Sequence, residues 1–184
     1  SEQRQLLDAL NGNYSIPEQI ALPTYDKAVA TRAASGKAIQ ALAAAIPNLI
    51  GGSADLAPSN KTWIDNANAI SANDFSGRNI HFGVRELAMA AIQNGILAYG
   101  GFYAFSATFF VFADYVRPAM RVAAISKLPA IYLFSHDSFY VGEDGATHEP
   151  IEQLSSLRAM PNTVVIRPAD PTETAQAWLA ALRN

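Results

Sequence analysis

The chain has no cysteine, only three histidines and few charges: 16% of its 184 residues are charged, for a net charge of -3. Without cysteine there is no disulfide framework, thiolate nucleophile, iron–sulfur cluster or cysteine-ligated zinc. The slight acidic excess, with lysine and arginine scattered, gives no footprint for nucleic acid or an anionic membrane surface. The polar, charged start from Ser1 to Leu10 lacks a signal-peptide apolar core, so the expected address is cytoplasmic. Internal repeats and low-complexity segments are absent as well. One uncharged stretch, Leu87 to Ala113, is long enough to cross a bilayer. It holds Gln93, Asn94 and Gly100-Gly101, and a helix-like half gives way to an aromatic, strand-like half. It therefore reads as a buried helix, a turn and a buried strand.

What is present is apolar and alternating. Half the residues are hydrophobic, and a chain of this length buries roughly 70% of the surface its unfolded form exposes, enough for a core without staples. Residues 1–25, with Gly12, Pro17 and Pro23, read as a linker, and 26–184 as one domain. Within it helix-period and strand-like segments alternate, which predicts an α/β fold: an open, mostly parallel sheet with helices on both faces. Helices are expected over Lys27 to Ile46 with Asp26 as cap, Arg85 to Tyr99, about Phe109 to Lys127 with a kink or break at Pro118, Ile151 to Ala159, and Pro171 to Arg183 with Asp170 as cap and Glu173 completing a box. Strands are expected at Asn48 to Gly52, Asn79 to Phe82, Phe102 to Ala107, Ala130 to Ser135, the last as a central strand, and Thr163 to Arg167. A doubly wound domain ending on a helix usually has one more strand, so a last strand is expected to be lacking.

Ligands of an open parallel sheet bind beyond the carboxyl ends of its strands. His136 and His148 share the loop after Ala130 to Ser135, with Asp137, Glu143 and Asp144. Such a set suits hydrogen bonding to a polyol or proton transfer near pH 7; a solvated loop with capping side chains accounts for the same residues. His136, His148 and Asp144 lack compact metal-ligand spacing. In Gly83-Val84-Arg85-Glu86-Leu87, Glu86 either favours the dipole of the helix it opens or, desolvated among apolar neighbours, holds a proton to donate to a ligand nitrogen. Phe109, Phe112 and Tyr115, at i, i+3 and i+6, would share one helical face, as core or as a pocket. Gly51-Gly52-Ser53-Ala54-Asp55 resembles a phosphate cradle only in its glycines.

In this order the segments resemble the pyrimidine-binding domain of transketolases. The resemblance runs through Ala28-Val29-Ala30-Thr31-Arg32, Gly51 to Asn60, Phe82-Gly83-Val84-Arg85-Glu86, Thr108-Phe109 with Phe112 and Tyr115, His136-Asp137-Ser138, Gly142-Glu143-Asp144-Gly145 with Thr147-His148, and Arg167-Pro168-Ala169-Asp170. It implies thiamine diphosphate as cofactor and transfer of a two-carbon ketol unit between sugar phosphates, in the pentose phosphate pathway. Glu86 would bond the aminopyrimidine ring nitrogen and promote the imino tautomer that deprotonates the thiazolium. Phe109, Phe112 and Tyr115 would hold the pyrimidine, and Asp55 would lie near the thiazolium. Arg32 and Ser59 would meet the substrate phosphate, and His136, Asp144 and His148 its hydroxyls and carbonyl. His81, inside a strand, reads as structural.

Leu87, Ala146 and Glu149 depart from the family's common residues without removing an assigned group. The larger departure is that nothing resembles the Gly-Asp-Gly…Asn signature that binds magnesium or calcium and diphosphate, which in this family belongs to a separate domain of the partner subunit. No metal-binding residue is expected in this chain. A homodimer, half of each active site and inactivity of the chain alone follow as expectations. Related thiamine enzymes (dihydroxyacetone synthase, deoxyxylulose phosphate synthase, the beta subunit of a 2-oxoacid dehydrogenase) and a non-catalytic dimerisation module are the alternatives. Arg32 and Ser59 beside a two-histidine loop favour transketolase.

Overall fold

The computed structural model describes residues 2–11 and 16–184. Its elements run α1 (Glu2–Leu10), α2 (Thr31–Ala45), β1 (Leu49–Ser53), α3 (Ala57–Asn60), β2 (Asn79–His81), α4 (Glu86–Tyr99), β3 (Tyr103–Phe109), a 3-10 turn (Phe110–Phe112), α5 (Ala113–Ile125), β4 (Ile131–Ser135), a second 3-10 turn (Ala146–His148), α6 (Gln153–Arg158) and α7 (Pro171–Arg183). The strands form one parallel sheet in the order β2-β1-β3-β4.

Side-chain alternation along the strands assigns the helices to faces. Leu49 and Phe105 point to one side, where they join Ile39 and Leu42 of α2 and Trp178 of α7. Their neighbours Ile50 and Ala104 point to the other and join Leu97 of α4. Alanine-rich α4 then packs on α5 through Met89, Ala90, Ala113 and Val116. Helices thus cover both faces, as expected. Phe105 meets Trp178 edge-on at 5.5 Å, and the indole N–H donates to Ser35 Oγ at 2.8 Å. At the amino end of the sheet, Arg78 donates to the carbonyls of Ala43, Ile46 and Leu49, each at 2.9 Å. That satisfies carbonyls which the end of α2 leaves without intrahelical partners.

Several expectations are corrected. The segment read as a linker carries α1, and Ile16, Ile20 and Leu22 pack against the α2–α7 core. Asp26 does not cap α2: the helix starts a turn later, after Ala30, whose extended ψ of 134° holds the preceding residues out of the helix. Residues 57–60, for which no helix was expected, form α3, with Pro58 in its first turn, where a missing N–H costs nothing. Pro118 neither splits nor ends α5, which runs unbroken from Ala113 to Ile125. β4 is an edge strand, half-buried along most of its length, rather than central. Thr163 to Arg167 forms no ladder: Val165 packs into the α4–α5 core while Val164 and Ile166 stay exposed. The capping of α7 is as expected, with Glu173 N–H donating to Asp170 Oδ1 at 2.8 Å.

Candidate functional site

The carboxyl ends of all four strands lie along one edge, and the β3–β4 half of that edge gathers most of the candidate residues. Phe109 is the last residue of β3 and pairs with Ser135, the last of β4. The next residue, His136, takes a left-handed φ of 54°, a conformation uncommon outside glycine that clusters at functional sites. This bend lays its ring on Phe109, centroids 3.8 Å apart. Phe112 stacks parallel to Phe109 at 6.0 Å, Tyr115 lies 6.1 Å beyond Phe112, and His148 meets Phe112 edge-on at 5.3 Å. The aromatic stripe therefore exists, but on a strand end, a 3-10 turn and the first turn of α5 rather than on one helix.

Arg32, in the first turn of α2, reaches this group from above: its Nη1 lies 3.4 Å from His136 Nε2. Burial pushes the His136 imidazole below the ordinary histidine value, and the charges of Arg32 and His148 push the same way; Asp144 and Asp137 oppose them. Asp137 is itself tied to Arg167 at 2.6 Å, which fixes the start of the loop. Thr147 Oγ1 and His148 Nδ1 are 2.8 Å apart. Gly145, with φ 77°, makes the turn into His148; a side chain there would be strained.

The β1–β2 half of the edge is a cavity of about 230 Å³ lined by Asp55, Trp63, His81 and Gly83. Asp55 sits at its mouth with φ 61°, its N–H bonded to the Ser53 carbonyl at 2.9 Å. His81, expected to be structural, is exposed at the end of β2 with its ring 5.5 Å from Trp63. Gly51 and Gly52 are no cradle: they lie inside β1, where a Cβ on Gly52 would strike the Ile80 carbonyl of the neighbouring strand.

The edge thus unites Arg32, Phe109, Phe112, Tyr115, Asp144, His136 and His148, while Asp55 lies across β1 from them. Glu86 opens α4, half-buried and, among the described residues, without a side-chain partner. The apolar shell expected over it is not closed by this chain, since Val84 and Leu87 are 75% and 51% exposed. Ser59 is carried to the edge by α3, next to fully buried Asn60. Asn60 accepts from Ser135 Oγ at 2.6 Å, directly beneath His136. Asn60, Ser135, Ser53 and Thr62 form a buried polar chain that sequence reading did not single out. Its sequence signal is small: Ser53 and Ser135 are polar residues at the ends of otherwise apolar strands, while Asn60 and Thr62 lie at and after the end of α3.

The family described as "Transketolase, pyrimidine binding domain" matches residues 27–184. A transketolase of Halalkalibacterium halodurans is 58% identical over 164 residues, covering 88% of this chain and 25% of that protein. A transketolase of Geobacillus stearothermophilus is 54% identical over 182 residues, covering 98% of this chain and 27% of that protein. Among solved structures, the transketolase from Leishmania mexicana superposes with a TM-score of 0.94 at 48% identity, over 98% of this chain and 27% of its own. A structure titled "Split gene transketolase, inactive beta4 tetramer" superposes at 0.66 with 29% identity, over 86% of this chain and 49% of its own. The chain spans about a quarter of the length of the full transketolases it matches.

Proposed function

We propose, from the premise that this chain belongs to the transketolase pyrimidine-binding domain family, that it supplies the pyrimidine and sugar-phosphate half of a thiamine diphosphate-dependent ketol-transfer site. The observation that carries this reading is the grouping of Arg32, Phe109, Phe112, His136 and His148 at one edge of the sheet. The residues fit the pyrimidine end of the cofactor. Phe109 and Phe112 offer near-parallel aromatic faces, and Glu86 offers an unpartnered carboxyl at the same sheet edge to hydrogen-bond a ring nitrogen. They do not fit its metal-bound diphosphate: no group of three or more His, Cys, Asp or Glu able to hold an ion occurs among the described residues. In this reading magnesium or calcium and the diphosphate would be held by a separate domain, contributed by the other subunit of a cytoplasmic homodimer.

Thiamine diphosphate, when bound, supplies the carbon nucleophile for ketose cleavage. This chain's residues orient and move protons around it. Arg32 presents a planar guanidinium to the substrate phosphate, with Ser59 alongside on α3. His136 and His148, with Asp144, exchange hydrogen bonds and protons with substrate oxygens. Asp55 lies on the thiazolium side of the edge. A second reading, a non-catalytic dimerisation module, is favoured by the exposure of Val84, Leu87 and Tyr99 around α4.

Ketol transfer from xylulose 5-phosphate to ribose 5-phosphate, with cofactor and magnesium in excess, separates the two. We expect no turnover by the chain alone and turnover once a matching diphosphate-binding domain is added. Glu86→Ala should then abolish activity with an unchanged circular dichroism spectrum. Failure of every complementation would favour the dimerisation module, and full activity of Glu86→Ala would remove that residue from the site.

A further inference from the structure

The hydrogen bonds beneath His136 fix more than its position. Ser135 Oγ lies 2.6 Å from Asn60 Oδ1 and 2.8 Å from His136 Nδ1. On the far side, Asn60 Nδ2 donates to Ser53 Oγ at 3.2 Å, and Ser53 Oγ lies 2.6 Å from Thr62 Oγ1. The lengths orient the amide, since O–H···O bonds are shorter than N–H···O bonds. The 2.6 Å contact is a hydroxyl donating to Oδ1, and the 3.2 Å contact is the amide donating to Ser53. A serine hydroxyl carries one proton. Having given it to Asn60, Ser135 can only accept from His136, so Nδ1 carries the hydrogen. The other ring nitrogen agrees, because Nε2 faces Arg32 Nη1 at 3.4 Å, and a guanidinium can only donate.

We infer that Asn60 and Ser135 are positioning residues that hold neutral His136 in its Nδ1–H tautomer, leaving Nε2 as an acceptor that Arg32 faces in this chain and that a substrate hydroxyl takes when Arg32 turns to the substrate phosphate. The substrate end of this inference rests on the role proposed for His136 above; the tautomer itself does not. Asn60 is fully buried and Ser135 is 8% exposed, so water does not compete for the chain.

Long-range 1H–15N correlation spectra of the isotopically labelled 184-residue chain, above the pH at which the ring titrates, read the tautomer directly. A His136→Gln spectrum identifies the resonances. We expect a pyrrole-type Nδ1 and a pyridine-type Nε2. In Asn60→Ala the Ser135 hydroxyl loses its acceptor, turns onto Nδ1, and the two nitrogen types exchange. Ser135→Thr keeps the native pattern and Ser135→Ala loses it. A pyridine-type Nδ1 in the parent chain, or an unchanged pattern in Asn60→Ala, overturns the inference. Should Asn60→Ala fail to fold, a native pattern persisting in Ser135→Ala overturns it as well. Absent ketol transfer after complementation with a diphosphate-binding domain, beside the expected spectrum, would refute the proposed function and leave the tautomer assignment standing.

Discussion

His136 is bent into a left-handed conformation, stacked on Phe109 and faced by both a guanidinium and a second imidazole. Burial disfavours its protonated form most, Arg32 and His148 act the same way, and Asp144 and Asp137 favour it. An NMR titration should therefore place its midpoint below the ordinary 6.5. Asp144→Asn should lower the midpoint further, and His148→Ala should raise it; shifts of the opposite sign would show that these groups do not face the ring. With the folded value depressed, the unfolded chain binds more protons across the window, so stability rises with pH there. The contribution is intact above 6.5 and is lost as pH falls through the folded value. Residue types and motif order made the two histidines, Arg32 and the aromatic trio legible in the sequence. Asn60 and Ser135 were not legible, because their burial depends on β4 lying two strands from β1, which no local pattern encodes.

At the scale of elements, periodicity located the helices where apolar spacing and caps agreed. α7 is the clearest case: Asp170 accepts from Glu173 N–H, Pro171 follows, and Glu173 Oε2 reaches back to Ala169 N–H at 2.8 Å. Asp170→Ala should cost about 1 kcal/mol in chemical denaturation; a loss near zero would mean that the docking of α7 on α2 through Trp178 alone sets its stability. Where local signals misled, packing prevailed over propensity. Phe109 to Phe112 has helical spacing, yet Phe109 is drawn into β3 by its ladder to Ser135. Thr163 to Arg167 alternates like a strand, but only Val165 finds a core to join, and Arg167 spends its guanidinium on Asp137.

For the molecule as a whole, α/β class and parallel order were legible from the alternation of periods, and strand order was not. Which strand lies at the edge depends on crossovers, whose register is set by contacts distant in sequence. Placing β4 at the edge leaves its carboxyl end, with the histidine loop after it, open to solvent beside the Phe109–Phe112 pair. At the opposite end of the β1–β3 pair, Arg78 locks the close of α2 to β1. One end of the sheet is thus stitched by main-chain acceptors, and the other carries the candidate site, where Glu86 has no side-chain partner among the described residues.

The buried polar chain joins α3 to the end of β4, residues 75 positions apart, across the end of β3. Contacts of such separation carry a large loop-closure cost and form late in folding. The bond between Asn60 and Ser135 is therefore expected to close only after β1, β3 and β4 have assembled. In pulse-labelled refolding, the amides of α4 and α5, adjacent in sequence and packed together, should gain protection before those of Ser135 and His136. The reverse order would show that the β4 end docks early. By the expected order the half-site matures after the α4–α5 pair, so a folding intermediate can bear native helices and still offer nothing to a sugar phosphate.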